Sequence, residues 1–385
     1  MRSLKQVLPA TALLLGAALS QANRASAQEQ IIQIQVTAND YAAARGARHR
    51  AHTSGALRPE GGFHPARTFE TDSSGALVEV TGISRSSIQL LPVPASQGAT
   101  ITPPFTGPGF FPADLSLLTT TGQVVTSAQV HNIYVNCTGA CWGNPSVFEN
   151  RLFSSKFMDV VDQYVGSEEE GRYSLGPSVK IVNYPITQTL VTNPFVNFAD
   201  IDAILHAAGS SLGTGYNHIY NIFFPKGVDV CAGYAPPYTQ CFSPDSPATW
   251  AYCAFHGNDV FSDIGTVLAT VEPYSDVFAS VNSVSFYNCD VGQPDPTTNT
   301  YPTPNGVLVD SMSSLLEHEI FETITDPDGL EWQSLEAFPP GEEIGDLCQV
   351  SPSLSLVYTP FYVSGHLYEV QPEYSNKYHA CVTVP

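Results

Sequence analysis

Basic residues are scarce in this chain: 15 Lys and Arg stand against 36 Asp and Glu in 385 residues, a formal net charge of −21. A surface of that sign repels nucleic acid and anionic membranes, so neither is an expected partner. Long apolar runs are also missing. The one candidate, Leu8 to Leu19, is too short to span a bilayer comfortably, and no later segment approaches the length required. No phosphate-binding P-loop occurs, which removes one common nucleotide-hydrolase signature. The eight cysteines can all pair, so a cysteine nucleophile is not expected. Charged residues make up only 13% of the chain, beside 30 Pro and 29 Gly, which suits a loop-rich globular protein rather than a disordered one.

What is present begins with Arg2 and Lys5 ahead of that apolar run and Ala25-Ser26-Ala27 behind it. Residues 1–27 therefore read as a secretory signal peptide cut before Gln28, and the mature chain as secreted and extracellular. Cleavage removes three basic residues and no acidic one, moving the net charge from −21 to −24. In an exported chain the cysteines read as four disulfides. The simplest pairing is Cys137–Cys141, Cys231–Cys241, Cys253–Cys289 and Cys348–Cys381, although spacing alone does not fix it. The last closes a loop of about 33 residues and would contribute about 3–4 kcal/mol.

Composition divides the mature chain. Residues 28–85 hold five basic residues between Arg45 and Arg67, with His49, His52 and His64, in a Gly, Ala and Ser setting; they read as a basic flexible arm or pro-segment. Residues 86–128 form a Pro- and Gly-rich linker and lead-in. From 129 to 385 the periodicity alternates between two and 3.6. Strands are predicted over 130–135, 179–184, 218–224, 266–271 and 283–287, and helices over 148–164, 200–208 and 310–324, the last capped by Asp310 and stopped ahead of Pro327. The fold class expected is α/β (α+β): a zincin-like mixed sheet with an active-site helix, stabilised by disulfides.

The helix over 310–324 carries the chemistry. In Glu317-His318-Glu319-Ile320-Phe321-Glu322, His318 and Glu322 are one turn apart on one face and can grip one cation. The pattern is that of H-E-x-x-H zinc hydrolases with Glu322 in place of the second His. Carboxylate oxygen is an accepted zinc ligand, so Glu319 remains in the position of the catalytic base. Between Asp310 and Asp346 there are eleven Asp or Glu and no Lys or Arg. Carboxylates so crowded either keep protons or take up a cation.

A third ligand must come from elsewhere. Asp346 and Glu343 are the leading candidates, because a Cys348 disulfide would hold their loop near the helix; His256, three residues after Cys253, is next. Asp326 and Asp328 are possible ligands or supports. His131, His206 and His218 read as structural. Tyr374 and Tyr378 could donate to a developing oxyanion.

Several segments together resemble the phosphate-induced protein or EXORDIUM family of secreted plant and microbial proteins: Cys253-Ala-Phe-His256, the run His318 to Pro327, Glu343-Ile-Gly-Asp346-Leu-Cys348, and Val370-Gln371 followed by Asn376 and Cys381. The resemblance is discontinuous over 129–385 and most specific in the final third. It implies an extracellular or wall-associated protein and supplies no settled activity. Plant members tend to carry Asn at the position of Asp326 and have a Gly-rich stretch that is missing here, and the N-terminal arm has no counterpart.

Two functions follow as expectations. The first is a secreted zinc-dependent, metallopeptidase-like hydrolase acting on a peptide or cell-surface substrate. The second is a non-catalytic extracellular protein in which Glu319, Glu322, Asp326, Glu343 and Asp346 bind calcium. Oligomeric state is not legible.

Overall fold

Alternation of side chains along strands, one face then the other, sorts this protein's interior into two apolar layers on either side of one large sheet. The computed structural model describes residues 29–53, 56–57, 63–64, 67–71, 77–79, 114–118, 123–246, 249–276, 279–281, 284–286, 289, 291, 303–334, 342–349 and 359–384. The expected signal peptide and most of the expected linker lie outside these residues.

The sheet has ten strands: β1 (Ile31–Ile34), β2 (Arg48–Thr53), β3 (Arg67–Thr71), β4 (Leu77–Glu79), β5 (Ala128–Val135), β6 (Tyr173–Leu175), β7 (Ser178–Ile181), β8 (His218–Phe223), β9 (Phe255–Phe261) and β10 (Gly265–Glu272). Its order is β1-β7-β5-β8-β10-β9-β2-β3-β4, with β6 also paired to β5. From β1 to β10 neighbours run parallel; from β10 onward they are antiparallel. Helices α1 (Ala38–Ala44) and α3 (Phe198–Leu212) lie together on one side, where Ile201, Ile204 and Leu205 meet Ile133, Ile222 and Val271. Helices α2 (Pro145–Leu152) and α4 (Val307–Thr325) cover the other, where Leu316, Ile320 and Phe321 meet Val130, Ile219 and Leu268. The architecture is the expected mixed α/β sheet with a long buried helix, and the sulfur atoms pair as Cys137–Cys141, Cys231–Cys241, Cys253–Cys289 and Cys348–Cys381. Among the described residues no helix is long and apolar enough to cross a membrane.

Three sequence expectations are corrected. The segment 28–85 is not a detached arm where it is described, since β1 pairs with β7 and β2 with β9 inside the sheet. Its basic composition hid that pairing because both partners are far along the chain. The helix expected over 148–164 breaks after Leu152 and resumes as 3₁₀ turns from Lys156. The long helix begins at Val307 rather than Asp310. Asp310 sits in its first turn and accepts from the Asn305 backbone N–H at 2.9 Å, the Asn305 side-chain amide at 2.8 Å and the Glu369 N–H at 3.1 Å. It thereby anchors the lead-in rather than capping the first turn.

One buried carboxyl away from that helix gives a pH test. In a smaller sheet, Asp229 accepts from the Asn193 side-chain amide at 3.0 Å. Burial, together with the neighbouring Asp245 carboxylate, pushes it from 3.8 up to about 7. Between pH 3.8 and 7 the folded state keeps a proton that the unfolded chain has lost, so this group's contribution to stability falls as pH rises through that window. Asp229→Asn carries a permanent donor in place of that proton. The variant should match wild type near pH 4 and exceed it by about 4 kcal/mol at pH 8, read from urea midpoints; equal midpoints at pH 8 would contradict the assignment.

Candidate metal centre

One register row across the sheet sets the floor of the site. Asn132 on β5, Asn221 on β8, Thr270 on β10 and His256 on β9 are directly paired neighbours facing α4. Polar groups in such a layer must be satisfied, and Glu149 of α2 provides the acceptors: it receives the Asn132 amide at 2.5 Å and the Asn221 amide at 2.7 Å. The Thr270 hydroxyl lies 3.0 Å from Asn221 Oδ1 and 2.9 Å from Glu272 Oε1, and its single proton serves one or the other. This network stiffens the strands beneath the helix and presents His256 at its end.

The helix contributes from above. His318, Glu319 and Glu322 fall on its sheet-facing side, and residues 343–346 close over them. His318 Nε2 lies 3.1 Å from Glu322 Oε1 and 3.7 Å from Asp346 Oδ1. His256 Nδ1 lies 3.3 Å from Glu319 Oε2 and 3.4 Å from Glu322 Oε2, and its Nε2 is 3.5 Å from Glu343 Oε2. The loop is fastened on the far side: Gly345 C=O accepts from Gln371 Nε2 at 2.9 Å, Ile344 C=O accepts from the Tyr374 N–H at 3.1 Å, and Cys348 is bonded to Cys381. All six donor residues are at most 3% exposed.

The donors fit a cation. His318 Nδ1 and Glu319 Oε1 have no hydrogen-bond partner, and His318 Nε2 and Glu322 Oε2 meet only the facing carboxylates and imidazole at ion-pair distance, without hydrogen-bond geometry; buried polar atoms in that state are costly unless something else engages their lone pairs. His256 donates from Nε2 to the Asp326 carbonyl at 3.3 Å, an arrangement that leaves Nδ1 as the ligand atom. His318, Glu319 and Glu322 form one group whose ligand atoms lie within 4.8 Å of one another, and His256, Glu322 and Glu343 form a second. Burial would lower both imidazoles, but the facing carboxylates outweigh it: His256 rises to about 10, chiefly through Glu319 and Glu322, and His318 well above its ordinary value, chiefly through Glu322. Burial would raise Glu322, yet the two imidazoles hold it below the usual carboxylate range. Glu343 and Glu342 are pushed well up by burial and by Asp326, Asp346 and Glu322 around them. Without a metal, protons on the imidazoles take its place, so metal binding must displace them.

The other expected residues are placed differently. Asp326 supplies its carbonyl to His256, while its carboxylate accepts from the Glu331 N–H at 2.6 Å and Gln333 Nε2 at 2.8 Å. Asp328 is engaged by the Tyr216 hydroxyl at 2.6 Å and the Asn258 amide at 2.8 Å. The Tyr374 hydroxyl turns to Asp114, and Tyr378 packs at the edge of the apolar cluster under the Lys377 ammonium. Among the described residues neither hydroxyl is hydrogen-bonded to the donors. His131 and His218 bond each other at 3.0 Å, and His206 is held between Asp40 and Asp263.

Sequence reasoning missed Glu342, although it adjoins Glu343, and the buried pair Glu317 and Glu373 behind the helix. It also missed a cluster on the opposite sheet face: His49 donates to Asp259 at 2.6 Å and lies 3.5 Å from Asp202, which accepts from the Tyr234 hydroxyl. Burial would lower His49, but Asp259 raises it to about 10, so an imidazolium already balances one carboxylate there. The alternation from His256 to Asp259 puts the two clusters on opposite faces.

Comparison with protein-family models, with curated proteins and with solved structures finds no match to this chain.

Proposed function

We propose that the protein is an exported zinc hydrolase cleaving peptide bonds, with His318, Glu322 and a carboxylate of the 343–346 loop as ligands and Glu319 as the base. The observation that carries this reading is a buried imidazole whose Nε2 meets only carboxylates, Glu322 at 3.1 Å and Asp346 at 3.7 Å, with no hydrogen bond of ordinary geometry at either ring nitrogen. Calcium has no use for imidazole, whereas zinc readily takes it beside carboxylates. Bound zinc would polarise a carbonyl and lower the pKa of water. Glu319 is held by its Oε2 near His256, leaving Oε1 to accept a proton. Four disulfides and the likeness of the 253–256, 318–327 and 343–348 segments to secreted EXORDIUM proteins support the extracellular setting.

The test is zinc content with activity. The zinc held at His318 should be lost in His318→Ala, lowering the zinc count relative to wild type, while Glu319→Gln should keep it and lose hydrolysis of a peptide library by about 10²–10⁴-fold. A zinc count unchanged by His318→Ala would remove the proposed site, and full activity in Glu319→Gln would remove the base.

The burial of every donor, at most 3% exposed, favours a second reading: a cation-bound core in a non-catalytic surface protein. Calcium retained in both wild type and His318→Ala, without zinc, would establish it.

A further inference from the structure

We propose that the cage holds two divalent cations bridged by Glu322. This rests on the metal-binding part of the reading above and not on hydrolysis.

The two oxygens of Glu322 are divided between the imidazoles. Oε1 is 3.1 Å from His318 Nε2 and Oε2 is 3.4 Å from His256 Nδ1. The two groups of candidate atoms, His318 with Glu319 and Glu322, and His256 with Glu322 and Glu343, share only that carboxylate, and the imidazoles fall in separate groups; with Glu319 as the base, Asp346, 3.7 Å from His318 Nε2, completes the first centre. One comes from the helix layer and the other from the sheet, so the donors surround two centres.

Charge balance points the same way. Glu319, Glu322, Glu343 and Asp346 bring four carboxylates into a region at most 3% exposed. With these four carboxylates ionised and both imidazoles neutral, as ligands must be, a single dication leaves two negative charges to be balanced by retained protons, since unpaired buried charge costs several kcal/mol each; a second brings the sum to zero. Imidazole with carboxylate oxygen suits zinc or manganese, and carboxylate-bridged pairs of such ions stand about 3.5–4 Å apart.

The experiment uses Zn²⁺ as the probe. The purified chain is equilibrated with zinc, freed of excess metal, and its zinc counted by mass spectrometry, with X-ray absorption used to find a metal–metal vector. Two zinc per chain are expected, falling to one in His256→Ala and in Glu343→Gln and to none in Glu322→Ala. Glu343→Gln keeps the side-chain shape, so the count remains readable if His256→Ala fails to fold. One zinc in wild type, unchanged in Glu343→Gln, would overturn the bridge and leave the single-site reading intact. No zinc in wild type would overturn both.

Discussion

Stripping the cation with a chelator is expected to lower the thermal unfolding midpoint by about 5–10 °C at neutral pH, and returning zinc should restore it. A ligand bound only by the folded state, at a thousand times its Kd, adds about 4 kcal/mol. For a chain of this length that is about 5 °C. The larger end of the range reflects what is left behind: Glu319, Glu322, Glu343 and Asp346 are buried beside two imidazoles, and unpaired buried charge is among the most destabilising features a fold can carry. Scanning calorimetry with and without EDTA, followed by addition of Zn²⁺ or Ca²⁺, makes the measurement. A midpoint indifferent to chelation would mean that protons alone neutralise the cage.

The second large effect comes from a single methyl group. A Cβ on Gly345 would stand 2.5 Å from His318 Nδ1 and 2.8 Å from Cε1, inside van der Waals contact. The loop cannot withdraw easily, because Gln371, Tyr374 and the Cys348–Cys381 bond hold it from behind. The imidazole must therefore turn, and Gly345→Ala should weaken zinc binding about 10–100-fold, the cost typical of disturbing a ligand's support, with about 1–3 kcal/mol of overpacking strain. Gly46→Ala, whose nearest neighbour is 3.7 Å away, serves as the control. Undiminished zinc affinity in Gly345→Ala would show that His318 is not held where its ligand role requires.

Local pattern made parts of this legible. The spacing of His318, Glu319 and Glu322 needs only a helix to bring them together, and a helix is a short-range object. Glu343 and Asp346 could be singled out because a disulfide at Cys348 limits where their loop can go. His256 was harder, since its place opposite Glu319 depends on the register of β9 against β10, which a single sequence does not encode visibly. The misreading of residues 28–85 has the same origin: Ile31 pairs with Ser178 and Arg50 with Asn258, and Gly, Ala and Arg in sequence look loose until the distant partner is known. The second ring nitrogen of His318, the bridge at Glu322 and the engagement of Asp326 and Asp328 elsewhere are properties of side-chain direction, beyond the reach of spacing.

The insertion of β2 beside β9 also governs time. Its pairing spans about 200 residues, and at a synthesis rate of roughly 5–20 residues per second the earlier strand waits about 10–40 s for the later one to be made. Until then β2 has only β3 beside it, and His49 lacks Asp259. A nascent chain can complete this sheet only when nearly three quarters of it has been translated.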